Sequence, residues 1–481
     1  MISVDDIVEL QIDTVAFEGK AIARLDGFVV FVAGGVPGDV VRAKIFKKKK
    51  DYAEAKLLEV VTPSPSRVAA RCEYFGVCGG CRWQHLNYLE QLRFKRQHVV
   101  DAMERTAGLS VKVEDIVGAQ EAYEYRNKIE VTFSERPYWI KEGDPATVAL
   151  GFHAPGRFDK TIDIGHCHLA DGRINEILNW FRNAIEPGSR LRDELGLTIY
   201  ESKPHVGLLR FLTVRKSFHS GEYMVNLVVL NESDAVDRLA ERLHNDLPFV
   251  STFASIVNPT RAQVATGEVR KIHFGTGYIT ERLGKYEFRI SPLSFFQTNT
   301  MQAEKLYDAA VAGVGEKQGI IYDLYSGTGS ISIYLSELAD HVYGFELIDS
   351  AVSDAAENAK RNGITNTSFF RTDLLELFKG RDPVGNFASL NVPKPDLILL
   401  DPPRSGLHPK IASNLHLLGA RKIVYVSCNP MTQARDVKEI VSHGYVPVNS
   451  RPVDMFPQTY HIENVMTLVK VQGTPGSVNL G

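Results

Sequence analysis

Cysteine is sparse in this chain: there are five among 481 residues, an odd number that argues against a framework of disulfides. Long apolar runs are also missing. No segment stays apolar for the roughly 20 residues that a membrane-spanning helix needs, and the opening MISVDDIVELQI lacks a basic stretch followed by an apolar core and a cleavage site. A cytoplasmic protein with no membrane partner is the expectation. Nor is there an excess of one charge. With a formal net charge of -3, any hold on nucleic acid must come from local basic patches rather than from the overall field.

What is present is organised around Ile320 to Ser330, IIYDLYSGTGS. β-Branched residues lead into Asp323, Gly327 and Gly329 permit tight, left-handed backbone, and Ile331, Ile333 and Leu335 resume an apolar pattern. The spacing predicts a strand, a ligand-holding loop and a helix start. The loop has no Lys-Ser/Thr end for a triphosphate, and its glycines match G-x-G-x-x-G poorly. The sequel, HVYGFELIDSAVSDAAENAKRNG, reads as a second strand ending in Glu346 and then an Ala-rich helix. In a parallel α/β unit that carboxylate lies beside the first loop, within reach of a ribose's two hydroxyls. The pattern favours a nucleoside-containing cofactor, S-adenosylmethionine ahead of NAD, over a purely structural turn.

Residues 4 to 61 alternate apolar and polar in short runs separated by turns, the pattern of a small β-barrel. Lys47 to Lys50 fall between two of these strands, either a solvated turn or a set of phosphate contacts. After TPSPSR comes RCEYFGVCGGCRWQ, whose C-x5-C-x2-C spacing keeps Cys72, Cys78 and Cys81 close to one centre. Zinc and iron-sulfur clusters both take four thiolates, so a fourth ligand is required, with Cys167 the candidate and His166 and His168 beside it as alternatives. A zinc ribbon would show two paired C-x2-C knuckles, and radical enzymes use C-x3-C-x2-C; a cluster with a structural or RNA-positioning role is therefore preferred. Asn87 to Met103 has helical spacing of Leu89, Leu92, Val99 and Met103, with Arg93, Lys95 and Arg96 expected on an exposed basic side. An α/β region continues to about residue 288.

Chemistry-bearing residues concentrate in the last third. Gln297, in FFQTN, offers an amide that both donates and accepts. Asp373 follows the third strand of the nucleotide unit. KPDLILLDPPRSG ends a fourth strand in Asp401, and its two prolines make a stiff loop over the sheet edge. RKIVYVSCNP ends a fifth strand in Cys428, a thiol placed for covalent catalysis or else an inert buried group. Glu463 precedes the last apolar run and, taken alone, reads as an ordinary solvated carboxylate. Together these groups suit a pyrimidine: thiolate addition at carbon 6 makes carbon 5 nucleophilic towards a methyl sulfonium, and a base then removes the carbon 5 proton.

With these motifs in view, CEYFGVCGGC plus Cys167, YRNK, FFQTN, DLYSGTGS, DPPRSG, SCNP and HIENV, the chain resembles the bacterial S-adenosylmethionine-dependent RNA (uracil-5-)-methyltransferases. Within that family it is similar to the ribosomal RNA branch that carries a TRAM domain and a four-cysteine [4Fe-4S] site. The resemblance implies an α/β multidomain protein: a TRAM/OB-like barrel over residues 1–65, a central α/β domain with the cluster over 66–288, and a Rossmann-like class I methyltransferase fold over 289–481. It implies Cys428 as nucleophile, Glu463 as proton-abstracting base, and Asp401 as a further catalytic and cofactor-binding residue. It also implies S-adenosylmethionine enclosed by Gln297, Tyr325, Gly327, Ser330, Glu346 and Asp373, and a cluster on Cys72, Cys78, Cys81 and Cys167. The implied substrate is 23S ribosomal RNA, presented as a flipped base from a folded or partly assembled RNA, with no obligate protein partner. Transfer-RNA uracil-5 methylation, RNA cytosine-5 methylation and a non-enzymatic iron-sulfur assembly factor are the alternatives.

Overall fold

The computed structural model describes residues 2–138, 147–380 and 382–471. Its first unit is a closed five-stranded barrel of β1 (Ile7–Val15), β2 (Ala21–Leu25), β3 (Phe28–Ala33), β4 (Val40–Lys48) and β5 (Tyr52–Thr62), in the order β1-β2-β3-β5-β4. Alternation does the work: Val41, Ala43 and Ile45 of β4 point inward with Leu10, Ile12, Val30 and Val32, while Arg42, Lys44 and Phe46 point out. Closure leaves no free sheet edge.

The chain then passes through the cysteine-rich loop into a helix, Tyr88–Ala102, capped by the Asn87 side chain and extended by a wider turn over Met103–Ala107. Two sequence expectations fail here. Leu89, read as core, is 77% exposed, and Lys95, read as part of an exposed basic face, is fully buried. Helical spacing identifies a face but does not say which face is covered. Ala102, Met103 and Ala107 pack into the core of the C-terminal sheet, which turns the helix so that Lys95 faces inward.

The central sheet has seven strands: β6 (Lys128–Ser134), β7 (Ala149–Ala154), β8 (Arg157–Asp163), β9 (Leu209–Lys216), β10 (Tyr223–Val229), β11 (Val250–Val257) and β12 (Glu268–Phe274), in the order β12-β11-β10-β9-β6-β7-β8. Helices Gly172–Ile185 and Asp234–Asp246 bury Ile177, Phe181, Leu239 and Leu243 against it. A hairpin of β13 (Ile279–Leu283) and β14 (Tyr286–Ile290) follows, and its inward residues join the core of the C-terminal sheet.

That last sheet contains β15 (Gln318–Leu324), β16 (Ala339–Glu346), β17 (Thr367–Arg371), β18 (Leu397–Leu400), β19 (Lys422–Ser427), β20 (Tyr445–Val453) and β21 (Glu463–Lys470), ordered β17-β16-β15-β18-β19-β21-β20. The first five run parallel, while β21 inserts antiparallel between β19 and β20. The central parallel strands are mostly apolar, as strands covered on both faces must be, Leu397 to Leu400 being wholly buried. Chain order reverses about β15 and β18, which places a crevice at their carboxyl ends. Among the described residues, no helix is long and apolar enough to cross a membrane.

Candidate active site and cysteine site

The crevice at the carboxyl edge of the last sheet is a cavity of about 1160 Å³. Gln297, Tyr325, Gly327, Ser330, Glu346, Asp373, Asp401, Cys428 and Glu463 all line it. The parallel strands deliver most of them directly, because Tyr325, Asp401 and Cys428 each come immediately after a strand and Glu346 ends one. Glu463 arrives by a different route. Antiparallel β21 pairs Asn464 with Ser427, so the start of one strand meets the end of the other and Glu463 is brought beside Cys428.

The glycine-rich loop is held by its backbone. The amides of Tyr325 and Ser326 donate to the Phe345 carbonyl, and that of Gly327 donates to Glu346 Oε2 at 3.1 Å. Tyr325, Gly327 and Gly329 have φ of +74°, +52° and +75°. Glycine adopts such values freely, but Tyr325 does so under strain, and strain of this kind is a mark of functional loops. Glu346 Oε1 is engaged by the amides of Leu347 and Ile348 at 2.7 and 2.9 Å, leaving Oε2 the freer oxygen. The Ser330 hydroxyl is already paired with Tyr307 at 2.7 Å, and Asp373 caps helix Leu374–Leu377 through the Leu375 amide.

Two polar groups that sequence reasoning passed over complete this end. Asp323 is buried, accepts from Ser332 through Oδ2 and has no partner at Oδ1; the buried Ser326 hydroxyl has none either. Both face the cavity. Unpaired buried polar atoms are costly, so their presence fits a site made to receive a polar ligand such as the amino-acid and ribose portions of S-adenosylmethionine. The available signal was an acid near the end of a strand, after the apolar run Ile320 to Tyr322.

The reacting end is electrostatically tense. Burial, with Glu463 and Asp401 close by, pushes the Cys428 thiol up to about 12, against a smaller opposing effect of Arg404. Burial and then Asp323 raise Asp401 to about 7, and burial and then Asp401 raise Glu463 well above the usual carboxylate range. A cationic ligand would relieve all three. The stiff Asp401-Pro402-Pro403-Arg404 turn is tied to the next motif: Asn429 Nδ2 and the Thr432 hydroxyl donate to the Arg404 carbonyl, while Asp436 accepts from the Leu407 amide at 2.7 Å. On the opposite side, Asn127 of YRNK donates to the Gln297 carbonyl and the Thr300 hydroxyl, both at 2.9 Å, which anchors FFQTN. His461 is another wall residue; burial lowers it to about 4, so it faces the site as a neutral imidazole.

Cys72, Cys78, Cys81 and Cys167 line a second cavity of about 380 Å³ together with His166 and His168. None is in a disulfide. Burial raises Cys72, and raises Cys78 and Cys81 to about 11 and 12, with the thiols reinforcing one another. Four soft donors facing one cavity fit a four-thiolate cluster by their chemistry. Among the described residues, no group of three or more His, Cys, Asp or Glu side chains is set to hold a single metal ion.

Comparison with known proteins adds the family. Residues 211–471 match the tRNA (uracil-5-)-methyltransferase family and residues 4–58 match the TRAM domain. An uncharacterized RNA methyltransferase of Chlorobaculum tepidum is 43% identical, with 96% of this chain and 95% of that one covered; one from Porphyromonas gingivalis is 36% identical, with 96% and 99% covered. Among solved structures, the tRNA (uracil-54, C5)-methyltransferase of Pyrococcus abyssi in complex with S-adenosyl-L-homocysteine is 28% identical, with a TM-score of 0.74, and covers 96% of this chain and 100% of its own. A carboxyl-edge crevice with thiol, carboxylates and ligand loop, together with matches over nearly the whole length, means that the chain belongs to the S-adenosylmethionine-dependent RNA (uracil-5-)-methyltransferase family, in a form that carries a TRAM domain.

Proposed function

We propose that the protein methylates carbon 5 of a uridine in transfer RNA, with Cys428 as nucleophile and Glu463 as base. The observation that carries the chemistry is the pairing of Ser427 with Asn464, which puts thiol and carboxyl at one cavity. S-adenosylmethionine, when bound, supplies a methyl group on a cationic sulfur. Asp401, close enough to Cys428 to raise its thiol, is the acceptor for the thiol proton once a cationic ligand has lowered that thiol. The Cys428 sulfur then bonds to carbon 6 as the carbon 5–carbon 6 π pair moves onto carbon 5, which would take the methyl group, the pair of the broken methyl–sulfur bond staying on the cofactor's sulfur as a neutral thioether. Glu463 removes the carbon 5 proton, the pair from that bond restores the double bond, and sulfur leaves carbon 6 as thiolate. Gln297, Tyr325, Gly327, Ser330, Glu346, Asp373 and Asp401 would enclose the cofactor. In this reading, residues 1–65 hold RNA, 66–288 carry the cysteine site and 289–481 carry the chemistry.

Cys428→Ala is expected to abolish methylation while RNA binding persists. Glu463→Gln is expected to trap a methylated RNA–protein adduct on a denaturing gel; normal turnover with no adduct would remove Glu463 from the role.

Transfer RNA is preferred to the 23S ribosomal RNA suggested by the motifs. That suggestion took the TRAM domain and the four cysteines as marks of the ribosomal RNA branch, yet the Pyrococcus transfer-RNA enzyme aligns with 96% of this chain. Mass-spectrometric mapping of 5-methyluridine after incubation with both unmodified RNA pools decides between them: product confined to ribosomal RNA would restore that target. We further propose a [4Fe-4S] cluster on Cys72, Cys78, Cys81 and Cys167, supported by their common cavity. Iron, sulfide and zinc analysis of anaerobically purified protein tests it, and one equivalent of zinc without sulfide would refute it.

A further inference from the structure

The catalytic cavity and the cysteine cavity share a wall made by Arg126, Phe456 and His461. Two of these belong to the segment between β20 and β21 that ends at Glu463. That segment is held mainly from outside its own sheet. The backbone N–H groups of Arg82 and Trp83, directly after Cys81, both donate to the Gln458 carbonyl at 3.0 Å. Gln91 locks the same residue reciprocally: its Nε2 donates to Gln458 Oε1 and its Oε1 accepts from the Gln458 amide, each at 3.0 Å. One turn along, Lys95 donates to Asp454 Oδ1 at 2.6 Å and to the Phe456 carbonyl at 3.0 Å, with both ion-pair side chains fully buried. Tyr88 donates to the other Asp454 oxygen at 2.9 Å, and Tyr125 to the Pro457 carbonyl at 3.0 Å. Gln458 itself sits at φ +68°, a conformation that a non-glycine residue keeps only when its surroundings impose it.

We propose that Gln91 and Lys95, on the helix after the cysteine loop, are positioning residues for proton abstraction: they set the Asp454–His461 segment and through it the approach of Glu463 to carbon 5. The proposal rests on the reading of Glu463 as base. Before that step, sulfur addition and methyl transfer need Cys428 and the cofactor loop, to which neither Gln91 nor Lys95 is bonded; the clamped segment meets that side only through the Tyr460 hydroxyl, which accepts from Arg404 at 3.2 Å. At that step the carbon 5 proton passes to Glu463, the bonding pair forms the carbon 5–carbon 6 double bond, and the carbon 6–sulfur bond breaks. A small displacement of the carboxylate slows this transfer alone, since proton transfer demands hydrogen-bond reach. The same clamp makes the geometry of the cysteine loop felt at the reacting carboxylate.

The test is single-turnover methylation of an RNA substrate by the full chain, with adduct and released 5-methyluridine followed separately, well below the unfolding temperature. Gln91→Ala should leave adduct formation unchanged and slow adduct decay by roughly ten-fold or more. Gln458→Gly keeps the backbone conformation without strain and removes only the side-chain tie, so it should show a weaker form of the same split even if Gln91→Ala folds poorly. Glu463→Gln is the reference. Adduct that accumulates in Glu463→Gln while formation and decay slow in parallel in the clamp variants, or do not change, overturns the positioning role and leaves the base intact. Normal turnover in Glu463→Gln overturns both.

Discussion

Asp323 shows how one residue can serve function against stability. Burial and then Glu346 raise its carboxyl from 3.8 to about 7, and one oxygen is left unpaired. An acid whose folded value lies above its unfolded one binds protons in the folded state that the unfolded chain has already lost. Stability from Asp323 therefore falls as pH rises between about 4 and 7 and is constant above that. Asp401, raised to about 7, acts in the same direction. Asp323→Asn is expected to raise the melting temperature at pH 8, by on the order of 1 °C for each kcal/mol in a chain of this length. The gain should shrink towards pH 4, and cofactor affinity should drop. Differential scanning calorimetry across pH with titration of S-adenosylhomocysteine checks all three. An unchanged melting temperature would mean that the carboxyl is better solvated than its burial implies.

At the scale of elements, the glycine-rich loop is built around close approach. A Cβ at Gly329 would stand 2.8 Å from Ala355 Cβ and Phe369 Cζ, in a backbone at φ +75°, whereas Gly363, at +65°, has nothing within 4 Å. Gly329→Ala combines overpacking with strain and is expected to cost about 2–4 kcal/mol, and Gly363→Ala only about 1 kcal/mol. Urea denaturation of the pair separates crowding from backbone cost, and equal losses would show that the loop yields. The helix Tyr88–Ala102 makes the complementary point. Lys95→Met would leave Asp454 charged in the interior without its counter-ion, a loss of about 3–5 kcal/mol if the site does not relax. Asp454→Asn in the same background should recover part of it. In the sequence this lysine looked like any other on a basic helix, because its partner stands 359 positions away.

Across the whole molecule, the barrel is joined to the rest by more than a linker. Val15 and Val36 share a cluster with Trp83, Leu86 and Phe94, against which Tyr460 packs, and His98 pairs with the Val15 carbonyl at 3.0 Å. RNA held by the barrel is thus referred to the segment that borders the active site. Of the lysine run, Lys47 is paired with Glu54 and Lys48 donates to the Ile2 carbonyl, while Lys49 and Lys50 are exposed. Replacing Lys49 and Lys50 by alanine is expected to lower RNA affinity and to reduce the slope of log K against log salt by about 1.5. The change should appear in KM rather than kcat, and filter binding over a salt series measures it. An unchanged slope would reduce the run to a solvated turn.

The barrel, the succession of the parallel strands along the chain and the residues at their ends could be read directly from the sequence. Alternation, apolar strand runs and Gly- or Pro-marked turns are local, and a parallel strand puts whatever follows it at the carboxyl edge. Five cysteines with one lone strand-end thiol pointed to the same chemistry. Glu463 could be assigned only through resemblance, since an isolated glutamate before an apolar run has no local mark. The fold decided the rest: that β21 turns antiparallel and returns Glu463 to Cys428, that Cys167 lines the same cavity as the other three thiols, that Asp323 and Ser326 are left open to the ligand, and that Lys95 faces inward. Each of these depends on which surfaces cover one another. Covering is a property of the packed chain, where burial sets the price of every unpaired charge, and no run of neighbouring residues encodes it.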